Sequence, residues 1–150
     1  MLISKGTLAL IADGAKAILY RNDGGVDDIT LAVRWQMEQE NPPTHEQGTD
    51  TPGRTQASAG TGRSAYSETD LHKLAESDFA KQTADRLEEA LGQASDADVI
   101  VVAAPRVLGV LRNHYGRATR NQLVAEIDKD LTNAPRDRVA DLLSAYVDKR

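Results

Sequence analysis

Three arginines and two glycines carry the clearest chemical signal in this chain. Arg54 and Arg63 lie in the stretch GTDTPGRTQASAGTGRSA, residues 48–65, which holds no aliphatic residue larger than Ala. Gly60 and Gly62 flank the approach to Arg63, and Arg106 follows directly on a proline. Small residues let backbone N–H groups come close to a phosphate, and the helix start beyond them favours an anion. Arginine adds bidentate hydrogen bonds to phosphate oxygens. Phosphate or RNA contact by Arg54, Gly60, Gly62, Arg63 and Arg106 is the first expectation; a solvent-exposed loop without a ligand is its alternative.

Other constellations are weaker. Asp13, Asp50 and Asp70 could form a carboxylate metal site for phosphodiester hydrolysis. Asp13 is accounted for by a turn and Asp70 by a helix start, so Asp13 stays only a weak catalytic candidate and no metal is expected. Gly60-Thr61-Gly62-Arg63-Ser64-Ala65 has the spacing of a dinucleotide fingerprint, but TQASA before it is not the strand that the fingerprint requires. There is no Walker A pattern. His72 and Glu76 stand one helical turn apart, as on any exposed helix face, and Ser64 and His72 are near each other in sequence only. No cofactor is expected.

The elements that must position these residues are legible from periodicity. Residues 7–12 and 15–21 are apolar-rich runs joined by Asp13-Gly14, a hairpin signal for a turn with positive φ at both central residues. Asp23-Gly24-Gly25 is a second turn. Ile29, Leu31, Val33, Trp35 and Met37 alternate with polar or small residues, which predicts a half-buried strand. Asn41-Pro42-Pro43 ends it. A long Gly/Arg loop spans residues 41–66, well beyond the ordinary length of a connection. Ser67 then caps a helix that carries Leu71, Leu74, Ala75, Phe79, Thr83, Leu87, Ala90 and Leu91 on one face and closes at Gly92. Residues 99–104 are a central strand, and Pro105 opens a helix that ends near Gly116. Residues 123–127 are a short strand, with a helix from Thr119 as the competing reading. Pro135 opens a last helix through Val139, Leu142, Leu143 and Tyr146.

This order predicts one α/β domain over residues 1–150, with a five-stranded mixed sheet in the order 3-2-1-4-5 and helices on both faces. Its ligand edge would be where the first, third and fourth strands end. The 150 residues carry no Cys, a net charge of −5 and only one Trp and one Phe. That excludes a disulfide scaffold and a thiolate metal site, and argues against a non-specific grip on nucleic acid. Residues 105–125 nevertheless hold Arg106, Arg112, Arg117 and Arg120 without one acid. They form either a solvated face or a local basic patch. No apolar run reaches membrane-spanning length and no signal peptide is read, so membrane insertion is not expected and the cytoplasm is.

NPPTHEQGTDTPGR, FAKQTADRLEEAL and EIDKDLT followed by Pro135 resemble the bacterial host-attachment protein family over nearly the whole chain. That family is described as required for attachment to host cells. More distantly, the order of elements resembles the middle domain of archaeal and eukaryotic class-one peptide release factors. In those proteins the loop before the long helix holds Gly-Gly-Gln, which enters the peptidyl-transferase centre. The matching stretch here is residues 60–65; Gly-Gly-Gln is absent and Arg63 stands near the place of the Gln. That departure argues against peptidyl-tRNA hydrolysis. The resemblance implies a non-catalytic module that contacts rRNA, tRNA or the ribosome, with an indirect role in attachment. Hydrolysis of an ester or phosphodiester is one alternative reading. A protein–protein adaptor that orders residues 44–66 on a partner is the other.

Overall fold

The computed structural model describes residues 3–39 and 61–148. Among these residues five strands form one mixed sheet: β1 (Leu8–Ala12), β2 (Lys16–Asn22), β3 (Leu31–Glu38), β4 (Val99–Ala103) and β5 (Leu123–Asp128). Their order is β3-β2-β1-β4-β5, as the element order predicts. β1 runs antiparallel to β2 and parallel to β4, and β5 is parallel to β4. Four helices accompany the sheet among the described residues: α1 (Thr61–Gly92), α2 (Pro105–Arg112), α3 (Arg117–Gln122) and α4 (Arg136–Asp148).

The two central strands explain the layers. Every residue of β1 and β4 is buried, because successive side chains point to opposite faces and both faces are covered. Leu8, Leu10, Val99 and Val101 pack under Phe79, Leu87 and Leu91 of α1 and Leu108 and Leu111 of α2. Ala9, Ile11, Ile100 and Val102 face Val139 and Leu143 of α4.

Five local expectations change. The β1–β2 turn is centred on Gly14 and Ala15, not on Asp13-Gly14, since Ala12 pairs with Ala17 and Asp13 N–H donates to the Lys16 carbonyl at 2.9 Å. Among the described residues only Gly6 has positive φ. A mirror-image turn would force Ala15 into that region; instead the Asp13 carboxylate holds the turn. The alternation in β3 is also broken. Leu19 pairs with Trp35 and Tyr20 with Val33, so Arg34 is an extra, bulged residue. Trp35 and Met37 therefore join the α1 side, while Ile29 and Leu31 join the α4 side.

The long helix starts at Thr61, before the expected cap at Ser67. No proline interrupts residues 61–67, and Gly62 lies in the first turn, where it costs little. Leu71 and Leu74, assigned to the packed face, are 40% and 59% exposed, because α1 runs on past the end of the sheet. The helix after Pro105 ends at Arg112, and the competing readings near Thr119 resolve as α3 followed at once by β5. Gln122 secures that junction by donating to the Ala94 and Ala97 carbonyls, both at 2.8 Å.

Candidate functional site

The edge where β1, β3 and β4 end gathers residues from five elements. Asp13 stands in the first turn. Its Oδ1 accepts from Ala15 N–H and Lys16 N–H, each at 2.7 Å. Its Oδ2 accepts from Thr132 Oγ1, also at 2.7 Å. Thr132 is buried, and its hydroxyl lies 2.9 Å from Asp130 Oδ1 as well. One hydroxyl proton thus serves two carboxylates. The Asp13 carboxylate ties the β1–β2 turn to the segment after β5, and all of these contacts support the fold.

Arg106 sits in the first turn of α2, where Pro105 supplies a preset φ. Both terminal nitrogens of its guanidinium donate to the Glu76 carboxylate of α1, Nη2 to Oε2 at 3.2 Å. Glu76 passes directly over the β1–β2 turn. A Cβ on Gly14 would lie 2.8 Å from Glu76 Oε2, so a side chain there would displace the carboxylate from its position. Arg106 remains 68% exposed, and its pKa is raised by the hydrogen bond and charge of Glu76. Beside it, Gln39 Nε2 donates to the Ala75 carbonyl at 3.1 Å, which fixes the end of β3 to α1. α1 begins at Thr61, about four turns before Ala75.

The arginine-rich stretch is not left uncompensated. Arg112 Nε and Nη2 donate to Glu126 Oε1 at 2.9 and 2.6 Å, and Tyr115 donates its phenol to Glu126 Oε2 at 2.7 Å. These bonds, Arg112's first, hold the Glu126 carboxyl below the ordinary range against the opposing effect of burial. Burial and the bond to Glu126 push the Tyr115 phenol well above its usual value. Glu88 of α1 faces the start of α3, with Arg120 adding a favourable charge. Acids from distant elements therefore meet arginines that the sequence shows without neighbours of opposite sign.

The expected site residues divide clearly. Arg106 and Asp13 share the predicted edge. Gly62 and Arg63 fall in the first turn of α1, as helix rather than loop; the Arg63 side chain lies outside the described residues, as do Arg54, Gly60 and Asp50. No local pattern marks Glu76, Asp130 and Thr132 as partners of these groups: Glu76 has only its spacing from His72, and Thr132 lies 119 residues from Asp13. At the opposite end of the sheet a polar hollow of about 350 Å³ is lined by Lys5, Arg21, Asp96 and Asp98 among others, with charges of both signs. Among the described residues no group of three or more His, Cys, Asp or Glu side chains could hold a metal ion. None of the described helices is long and apolar enough to cross a membrane.

A meander, a long helix and two further strand–helix units make up the domain, and the long helix begins beyond the edge that carries Asp13 and Arg106. Residues 6–143 match the bacterial archaeo-eukaryotic release factor family 12, and the chain belongs to that family. Comparison with curated proteins finds no match.

Proposed function

We propose that this chain is a non-catalytic, RNA- or ribosome-binding module of the translation apparatus, acting through the Gly/Arg segment that leads into α1. The observation that carries this reading is membership of a release-factor family over nearly the whole chain. Arg54, Gly60, Gly62 and Arg63 would contact phosphates, with Arg106 as an auxiliary cation at the same sheet edge. Two features support contact without hydrolysis. Gly-Gly-Gln is missing from residues 60–65. The carboxylate of Asp13, the weak catalytic candidate, is occupied by two backbone N–H groups and the Thr132 hydroxyl. The likeness to host-attachment proteins adds an indirect role in attachment, through translation rather than at the cell surface.

Ribosome co-sedimentation tests the reading. Wild type is expected to pellet with ribosomes in a salt-dependent manner. Reversing Arg54 and Arg63 together (Arg54→Glu, Arg63→Glu) is expected to weaken binding at least tenfold. The slope of log affinity against log salt should fall by about one for each phosphate that is no longer neutralised. No pelleting of wild type, or pelleting indifferent to both reversals, would remove the proposal. A ribonuclease-insensitive complex with one protein would instead favour the adaptor reading.

A further inference from the structure

Arg106 and Glu76 meet in a forked geometry. Each terminal nitrogen of the guanidinium donates to its own carboxylate oxygen, Nη2 to Oε2 at 3.2 Å. Phosphate oxygens take the same fork. The Glu76 carboxylate therefore occupies the face of Arg106 that a phosphate would use.

Two observations separate this pair from the other acids that hold arginines or helix ends. The first is how little else depends on it. Glu126 receives Arg112 on one oxygen and the Tyr115 phenol on the other, and Glu88 receives two backbone N–H groups and a buried hydroxyl. Among the described residues Glu76 receives Arg106 alone, and the Arg106 side chain is 68% exposed. Releasing it leaves no buried donor without a partner. Exposed ion pairs contribute little net stability, so one anion can replace another at small cost.

The second is the seat of the carboxylate. A Cβ on Gly14 would lie 2.8 Å from Glu76 Oε2, 3.0 Å from its carboxyl carbon and 3.1 Å from its Cγ. Gly14 does not have positive φ, since among the described residues only Gly6 does. The glycine is thus required by space and not by backbone conformation. The β1–β2 turn leaves room for this carboxylate, while the guanidinium it holds stays open to solvent.

We propose that Glu76 is a built-in competitor for the anion site at Arg106, and that a phosphate ligand binds there by taking the guanidinium from Glu76. The competitor sets a threshold: an anion must bind Arg106 better than the seated carboxylate does, which favours the doubly charged phosphate group over weaker anions. This inference rests on the reading of Arg106 as a phosphate contact, whether the phosphate belongs to RNA or to a small molecule.

Titration of the full chain with inorganic pyrophosphate tests it, followed by the NMR resonance of the Arg106 Nε–H, which is assigned by its loss in Arg106→Gln. Glu76→Gln is expected to tighten binding at Arg106 about fivefold. Gly14→Ala is expected to act in the same direction with the net charge unchanged, because its Cβ moves the carboxylate off its seat. In the Arg106→Gln background, with overall pyrophosphate affinity read by calorimetry, neither substitution should produce a gain. Ribosome co-sedimentation of the same variants separates the sources. Gains there as well place the competition on RNA phosphate; gains with pyrophosphate but no pelleting of any variant sustain the competition and remove the ribosome reading. Equal pyrophosphate affinity in wild type, Glu76→Gln and Gly14→Ala overturns the proposal. So does a gain that persists without Arg106, or an Arg106 resonance that pyrophosphate never shifts.

Discussion

Asn22→Ala is expected to destabilise the domain by about 3–5 kcal/mol, a large loss for one polar side chain. Asn22 is fully buried at the end of β2. Its Nδ2 lies 3.2 Å from the Ile3 carbonyl and 3.3 Å from the Ser4 and Gly25 carbonyls. Its Oδ1 accepts from Gly24 N–H at 3.0 Å and Thr30 N–H at 2.8 Å. One amide thus ties the segment before β1 to both arms of the β2–β3 turn. Truncation leaves backbone donors and acceptors without partners and opens a cavity, and the two effects add. Asn22→Asp should be no milder, because a carboxylate oxygen would replace the donor that faces three carbonyls. Thermal and urea melts read the outcome. A loss of about 3–5 kcal/mol corresponds to roughly 10–15 °C in Tm for a chain of this size. If Asn22→Ala melted within a few degrees of wild type, the turn would be held by its glycines alone. Gly24 is the stricter of these, since a Cβ there would sit 1.9 Å from the Asp28 carbonyl oxygen.

The second large effect concerns Glu88. α3 is a single short helix whose N-cap, Gly116, has no side chain to cap it. Glu88 of α1 takes that role from outside. Its Oε2 accepts from Ala118 N–H at 2.9 Å, and its Oε1 from Thr119 N–H at 2.9 Å and Thr119 Oγ1 at 2.8 Å. Ala118 and Thr119 are the second and third helical residues, the ones an N-cap side chain normally serves. Thr119 is fully buried, so its hydroxyl has no exchange with water. Glu88→Ala is expected to cost about 2–3 kcal/mol, the sum of a missing cap and an orphaned buried hydroxyl. Gly116→Ala should act through the same carboxylate, because a Cβ there would fall 2.4 Å from the Glu88 carboxyl carbon and push it aside. The two substitutions should therefore be strongly non-additive in a double-mutant cycle. Additive losses would show that Gly116 matters for another reason.

The same carboxylate gives a pH dependence with a definite sign. Burial acts to raise the Glu88 pKa, but the bonds from Ala118 and Thr119 outweigh it, and the net shift is downward. Its contribution to stability is then complete above the unfolded glutamate pKa of about 4.3 and is lost as pH falls through the lowered folded value. The stability gap between wild type and Glu88→Gln should be constant near neutrality and close in acid. A gap that widened on acidification would contradict the assignment. Glu126, also lowered, contributes with the same sign, first through Arg112.

The sequence by itself determined the layers and the strand order. Short apolar runs without alternation, bounded by turn signals, fit strands covered on both sides, and β1 and β4 are those strands. A tight hairpin makes β1 and β2 antiparallel, and a right-handed crossover brings β4 beside β1. The edge that carries Asp13 and Arg106 followed from that order. Tertiary structure decided what those residues do there. The acids that meet Arg106 and Arg112, Glu76 and Glu126, lie 30 and 14 residues away, and no local spacing marks them. The Asp13–Thr132 hydrogen bond joins positions 119 residues apart. The bulge at Arg34 hides inside a regular alternation, since an inserted residue changes faces without changing the pattern of residue types. The start of α1 at Thr61 likewise depends on helix propagation, which a good cap at Ser67 permits but does not require. Local chemistry thus chose the elements and their order, while long-range contacts between them set the role of each charge, because a charge interacts with what lies near it in space and not along the chain.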